Sequence, residues 1–299
     1  MDTVCGGLGM NVYNNMDGST GCMHSSKGNQ LKFNVDNKWY KADYFGYEGA
    51  AEYICSEILV YSNISSYVSY ELNEINYNSK IFNGCVSDNF LSSGYNLITT
   101  ERLFESNTGK KLEELLAGKG PEEMIEYYVD AVKEMTGLSY FGEYLTYLLE
   151  LDELVLNEDR HFHNIAVIEK DSEYYYCPIF DNGAAFLSDT RLDYPLESNI
   201  YGLIPTVQAK PFSKSFETQA QICRNKYGPQ LNIYKHINLD SAYKNINAVY
   251  GNKVTERIKD IYEHQAYLCM DIFRDRLQSP VWENDSRNYG ILRHNGIKI

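Results

Sequence analysis

A change of hydrophobic period near residue 107 constrains this chain more than any other feature. Before it, short apolar runs alternate as strands do; after it, apolar residues recur every three or four positions, as on helices. The first thirty residues are rich in Gly, Asn, Ser and Met and read as loop, ending in Ser25-Ser26-Lys27-Gly28-Asn29-Gln30. Residues 31–35 and 39–43 then alternate around the turn residues Asp36-Asn37-Lys38, which predicts a hairpin. Ala50, Ala51, Ile54, Ile58 and Leu59 predict a helix from Gly49 to Tyr61. Extended stretches are expected at 67–72, 90–91 and 96–104. Beyond Asn107-Thr108-Gly109, helices are expected at 121–137, where Pro121 suits a first helical position, and at 139–156. A second hairpin is expected over 165–180, followed by helices starting near 216, 241 and 254. The pattern predicts an α+β molecule with two lobes: a β-rich N-terminal lobe over 1–106 and a mainly helical C-terminal lobe over 107–299.

At 299 residues the chain is long enough for a core in each lobe. Its formal net charge of −14 opposes direct binding to nucleic acid or to an anionic membrane surface, both of which need a basic face. The 27 Tyr are scattered, as amphipathic packing residues are. Seven Cys without a CxxC pair suggest neither a zinc site nor a disulfide framework. With no export signal and no apolar run of membrane-spanning length, a cytoplasmic location is expected, although a specialised secretion route leaves no such mark.

Two segments carry chemistry. Asp159-Arg160-His161-Phe162-His163-Asn164 sets a carboxylate and an amide five positions apart in a loop. Ile179-Phe180-Asp181-Asn182-Gly183 adds a second carboxylate after a strand-like run. Phosphoryl transfer needs such a set: one carboxylate to meet the attacking hydroxyl and two hard oxygens for magnesium. Singly, each residue reads as a cap or turn residue; the combination is the specific signal. Lys41 sits mid-strand, an awkward place for an unpartnered charge, with Glu52 on the following helix to hold it and Glu48 and Glu57 as competing partners. The loop Ser25, Ser26, Lys27, Gly28, Asn29 offers backbone N–H groups for phosphates. There is no GxxxxGK[ST], which disfavours a P-loop NTPase. His161 and His163 near Asp159 and Asp181 raise metal-dependent hydrolysis as a less favoured alternative. The preferred reading of His161 is a loop-shaping residue that hydrogen-bonds the backbone beside Asp159.

Residues 157–165 and Phe180-Asp181-Asn182-Gly183 resemble the catalytic and metal-binding motifs of HipA-like Ser/Thr kinases, and also the D-R-H-x-x-N of phosphoinositide lipid kinases. Trp39-Tyr40-Lys41 with Ala51-Glu52-Tyr53-Ile54 is similar to the former family's "YMLK…SEYI" pattern, and Lys210-Pro211-Phe212-Ser213 has a similar look. The resemblance spans roughly residues 25 to 220. It implies a bilobal protein-kinase-like fold and an ATP- and Mg2+-dependent protein serine/threonine kinase. Asp159 is then the catalytic base with His161 beside it, Asn164 and Asp181 are the magnesium ligands, Lys41 is the phosphate-binding lysine and 25–29 the nucleotide loop. Thr99 to Phe104 falls where the adenine-contacting hinge is expected, which brings in Glu101 and Leu103. The implied partners are a protein with a Ser/Thr acceptor and an antitoxin-type regulator. The two hydroxyls of Ser25 and Ser26 beside the implied γ-phosphate site add the expectation that one of them is autophosphorylated, where negative charge opposes nucleotide binding. A small-molecule or lipid kinase and an ATP-binding pseudokinase are the alternatives. The chain departs from the family in its length, closer to the compact CtkA-like or HipT-like members, and in its S-S-K-G-N loop, which is not Gly-rich.

Overall fold

The computed structural model describes residues 11–13 and 30–290; the expected nucleotide loop, Ser25 to Asn29, lies outside them. The N-terminal region holds β1 (Asn11–Tyr13), β2 (Lys32–Val35), β3 (Lys38–Ala42), α1 (Glu48–Leu59), β4 (Glu71–Tyr77) and β5 (Lys80–Asp88). Its five-stranded sheet has the order β1-β4-β5-β3-β2, with β1 parallel to β4 and the other pairs antiparallel. Next come β6 (Asn96–Thr99), α2 (Thr100–Thr108), α3 (Leu112–Leu116), α4 (Pro121–Thr136) and α5 (Phe141–Val155). The hairpin β7 (Ala166–Lys170) and β8 (Glu173–Tyr176) pairs with β6 in a separate sheet, order β6-β7-β8. The remainder is α6 (Ile200–Leu203), α7 (Phe216–Tyr227), β9 (Ile233–Tyr234), α8 (Asp240–Tyr250), α9 (Asn252–Leu268) and β10 (Phe273–Arg274).

Three hairpins turn on two residues that both have positive φ: Asp36-Asn37, Asn78-Ser79 and Asp171-Ser172. Left-handed pairs of this kind match the right-handed twist of the flanking strands. The expected hairpins over 31–43 and 165–180 are present. β5, the longest strand, escaped the sequence pattern because Asn83-Gly84 interrupts its alternation. Gly84 is required there: a Cβ would lie 2.1 Å from the Lys41 carbonyl oxygen, and one on Gly49 of α1 would lie 2.5 Å from the Gly84 carbonyl carbon. Helix α1 thus rides directly on the sheet backbone.

The stretch 96–104 is extended only to Thr99. The Thr99 side chain accepts the Arg102 N–H at 3.3 Å, capping α2, so the second half of the segment is helical. Phe90 and Leu91 belong to no strand. Helix α9 ends at Leu268 rather than near 277, giving way to a 3-10 turn and to β10, which pairs with β9.

Eleven of the twelve α1 residues are buried, because the helix lies between the sheet and α8. α5 is buried almost all round, packed on α4, α7 and α9, and so reads as an apolar core helix rather than an amphipathic surface one. Cys55, Cys85, Cys177, Cys223 and Cys269 are buried free thiols. Among the described residues, no helix is long and apolar enough to cross a membrane.

Candidate active site

The register of β2 against β3 puts Lys32 directly opposite Lys41, so both side chains leave the same face of the sheet. Lys41 is buried, its side chain only 10% exposed, and an ammonium there requires anionic partners. It has two. Nζ donates to Glu52 Oε1 and, at 2.8 Å, to Asp181 Oδ1, with the Tyr70 hydroxyl at 3.2 Å. Burial works against the charged form of Lys41, but Asp181 and Glu52 outweigh it and hold the pKa well above the usual lysine value. Of the competing carboxylates, Glu48 is occupied by the N–H groups of Tyr44, Phe45 and Gly46. Glu57 is the one α1 residue outside the buried set. The second oxygen of Glu52 accepts the Asn182 N–H at 2.8 Å, so this one carboxylate ties α1 to both β3 and the 180–183 segment.

Asp181 sits at φ +61, which turns the chain there. Its carboxyl is buried, which alone raises a pKa, yet Lys32 (3.4 Å), Lys41 and then Arg160 hold it well below the usual carboxylate range.

The loop that carries Asp159 begins where α5 stops at Leu156, in the left-handed region at φ +53. Its organiser is Arg160, a residue the sequence reading left without a role. Arg160 is fully buried and pairs with Asp152 at the end of α5. It also donates to Asn182 Oδ1 (2.6 Å) and to the carbonyls of Asn164 (3.2 Å) and Phe180 (2.9 Å). One guanidinium therefore joins α5, the Asp159 loop and the Asp181 segment; its fork of donors suits it to this. Asn157 bonds Asp152 at 3.1 Å and accepts the Asp159 N–H at 3.3 Å. His161 meets the expectation through its main chain: its N–H donates to the Asp159 carbonyl at 2.9 Å. Among the described residues neither ring nitrogen has a hydrogen-bond partner, and Nε2 stands 3.8 Å from Asp159 Oδ2. Burial lowers its pKa, which favours the neutral ring.

Asp159 Oδ1 accepts from Lys210 Nζ at 2.9 Å. Asn164 donates its Nδ2 to the Asp159 carbonyl at 2.9 Å, which directs its Oδ1 away from that carbonyl. Asp159, Asn164, Asp181 and Lys32 line one recess, and this presents hard oxygens from an amide and two carboxylates to one space. That donor set fits a magnesium ion that takes few protein ligands and completes its shell with phosphate and water. Among the described residues no group of three or more His, Cys, Asp and Glu converges as metal ligands. His161 and His163 meet edge to face instead.

Beside the recess lies a cavity of about 690 Å³. Its polar end is Lys32, Lys41 and Asp181; its apolar walls include Val68, Phe90, Leu97 and Phe180. Glu101 and Leu103 are not among its lining residues. Being on α2, Leu103 turns into the core and Glu101 accepts the Leu112 N–H at 3.3 Å. The residues that do reach the cavity on this side are 95–98 and Asn89 to Leu91, with Arg102 and Ser106 from α2, so the expected 99–104 segment contributes Arg102 alone. Placing them from sequence required the helix start at Thr100, which the Thr99 cap signals.

No family model and no curated protein matches the sequence. Among solved structures, the fold is similar to that of the Helicobacter pylori proinflammatory kinase CtkA. The TM-score is 0.59 at 16% sequence identity, over 89% of this chain and 97% of that one. The chain therefore has a kinase-like fold, with a β-sheet N-terminal region and a helical C-terminal region.

Proposed function

We propose that this chain is an ATP- and magnesium-dependent protein serine/threonine kinase. The observation that carries the reading is the buried Lys41–Glu52–Asp181 cluster at the polar end of the 690 Å³ cavity, with Asp159 and Asn164 across the adjoining recess. A buried ion cluster opening into a large, mostly apolar cavity suits a ligand with a flat apolar base and a polyanionic tail. Lys41 meets the phosphate oxygens, kept cationic by Glu52. Asn164 and Asp181 would hold the magnesium ion, which would neutralise phosphate charge. Asp159 accepts the hydrogen bond of the acceptor hydroxyl and takes its proton as the new O–P bond forms and the bond to ADP breaks. The kinase-like fold supports the same reading.

The test is transfer from radiolabelled ATP by the wild type, Asp159→Ala and Asp181→Ala, with phosphoamino-acid analysis of the product. Label on Ser or Thr from the wild type alone is the expected result; equal label in all three proteins refutes the assignment. Ser25 and Ser26 are proposed as autophosphorylation sites, and an intact-mass measurement after incubation with ATP that finds no added phosphate there removes that part. An antitoxin-type regulator is proposed on the family resemblance, and co-purification from cells expressing the Asp159→Ala variant checks it.

A further inference from the structure

Lys210 has no place in the scheme above, yet its geometry is that of a built residue. It lies 51 positions beyond Asp159 in the chain, and its ammonium donates to Asp159 Oδ1 at 2.9 Å. A solvent-exposed Lys–Asp pair contributes little to stability and needs no support. This one is supported. The Lys210 carbonyl accepts from Nε2 of Gln219, a fully buried side chain on α7, at 2.9 Å. Gln219 Oε1 in turn accepts the Phe212 N–H at 3.3 Å, and Ala209 N–H bonds the Lys214 carbonyl. The Phe212 ring packs on Phe162, inside the Asp159 loop, with centroids 5.6 Å apart, and on Tyr128 at 5.3 Å. The backbone under Lys210 is thus fixed to the very loop that holds Asp159, while its side chain remains 48% exposed.

Charge placement gives the second argument. Lys32 and Lys41 both converge on Asp181, at the phosphate end of the cavity. The Asp159 loop itself, 157–165, contains no lysine; its only arginine, Arg160, is buried and directed into the protein. Of the described lysines, Lys210 is the one that donates to Asp159, while Lys32 and Lys41 donate to Asp181.

We infer that Lys210 is a catalytic residue whose ammonium bridges Asp159 and the transferring phosphoryl group. The inference rests on the kinase reading and deepens it. A base lies about 2.6–3.2 Å from the hydroxyl it deprotonates, and the attacked phosphorus lies about 3–3.5 Å beyond that oxygen. The ammonium lies 2.9 Å from the same carboxylate, and the inference places it beside the phosphoryl oxygens when the acceptor is seated on Asp159. Lys210 keeps its protons throughout: the hydroxyl proton passes to Asp159, the O–P bond forms, and the electron pair of the broken bond leaves on ADP. The ammonium orients Asp159 before transfer and stabilises the equatorial oxygens during it.

The experiment compares wild type, Lys210→Met, Lys210→Arg and Asp159→Ala with [γ-32P]ATP. Water and dephosphorylated casein serve as acceptors, and MgATP affinity is measured separately by calorimetry. Loss of one such donor is expected to lower kcat of Lys210→Met by about 10²–10³-fold, with MgATP affinity unchanged and with partial recovery in Lys210→Arg. A Lys210→Met kcat within a few-fold of wild type, while Asp159→Ala is inactive, overturns the role of Lys210 and leaves the kinase reading standing. A loss of MgATP affinity that matches the loss of turnover also overturns it, since the residue then acts on the bound ground state. If Lys210→Met melts well below wild type, Lys210→Gln replaces it under the same criteria. A wild type that transfers to neither acceptor removes the kinase reading and this inference together.

Discussion

Glu52 and Arg160 each hold three parts of the molecule with one charged group, and each leaves a buried opposite charge behind if it or its partner is removed. Breaking a buried pair from one side costs about 3–5 kcal/mol. Arg160→Met strips Asp152 of its cation and leaves the Asn164 and Phe180 carbonyls without that donor. A loss of about 3–5 kcal/mol in urea denaturation is expected; a loss below about 1 kcal/mol contradicts the structural role assigned to it. Lys41→Met should abolish phosphate transfer and also destabilise by a similar amount, because Glu52 is only 1% exposed. Asp181 is cushioned by Lys32. The double variant Lys41→Met/Glu52→Leu should lose less stability than the two single losses added, since the pair is then removed together.

These residues were unequally legible. Lys41 stood out because a lone charge mid-strand asks for a partner, and of three nearby glutamates only spatial context selects Glu52. Arg160 lay in plain view between Asp159 and His161, but a charged loop residue defaults to solvent. Its partner Asp152 sits on the last turn of a helix whose other residues already form an apolar face, so nothing local shows that both are buried. The hydrogen bond expected of His161 comes from its main-chain N–H and not from its ring, which local sequence does not distinguish.

At the scale of elements, α1 meets β5 glycine against glycine, Gly49 over Gly84. Gly84→Ala places a methyl group against the Lys41 carbonyl and must push β3 aside. Overpacking of this kind costs about 1–3 kcal/mol. The displacement acts on the strand that brings Lys41 to Glu52, so MgATP affinity should fall along with the denaturation midpoint. Titration calorimetry on the variant at a temperature where it is folded checks this; unchanged affinity separates the strand contact from the site. Strand β5 was invisible to the pattern. A glycine and an asparagine in mid-strand erase the alternation that sequence reading depends on, while the missing side chain of Gly49 is what lets the helix approach the backbone of Gly84. The Asn78-Ser79 turn before it also lacks the Asn-Gly signature that marks the strongest two-residue hairpins.

For the whole molecule, buried carboxyl groups set the response to pH. Burial, with Glu48 nearby, raises Asp43 from 3.8 to about 8. Burial also raises Glu150 from 4.5 to about 7, against the Leu231 and Gln230 N–H groups that favour its charge. Both groups bind a proton in the folded state at pH values where the unfolded chain has lost it. Stability from these two therefore falls as pH rises from about 4 toward 8. Asp181 has the opposite sign: its depressed pKa stabilises the fold above the ordinary carboxylate range, and that contribution is lost as pH falls through it. Denaturation at pH 5, 6.5 and 8 should show wild type weakening toward pH 8, and Asp43→Asn weakening less. Parallel curves for the two proteins contradict the assignment to Asp43.

The strand β6 precedes every long helix of the C-terminal region, yet it pairs with the hairpin that follows the Asp159 loop, Asn96 to Thr99 against Glu169 to Ala166. A chain severed just after α2 strands that ribbon with the first piece and strips an edge from β7 in the second. The exposed edge then offers its unpaired amides and carbonyls to any neighbouring copy. The molecule is for that reason indivisible at the point where its hydrophobic period changes: a split protein would have to carry residues 96–99 with the later fragment to stay dispersed, and reassembly of two such fragments would report on the seam itself.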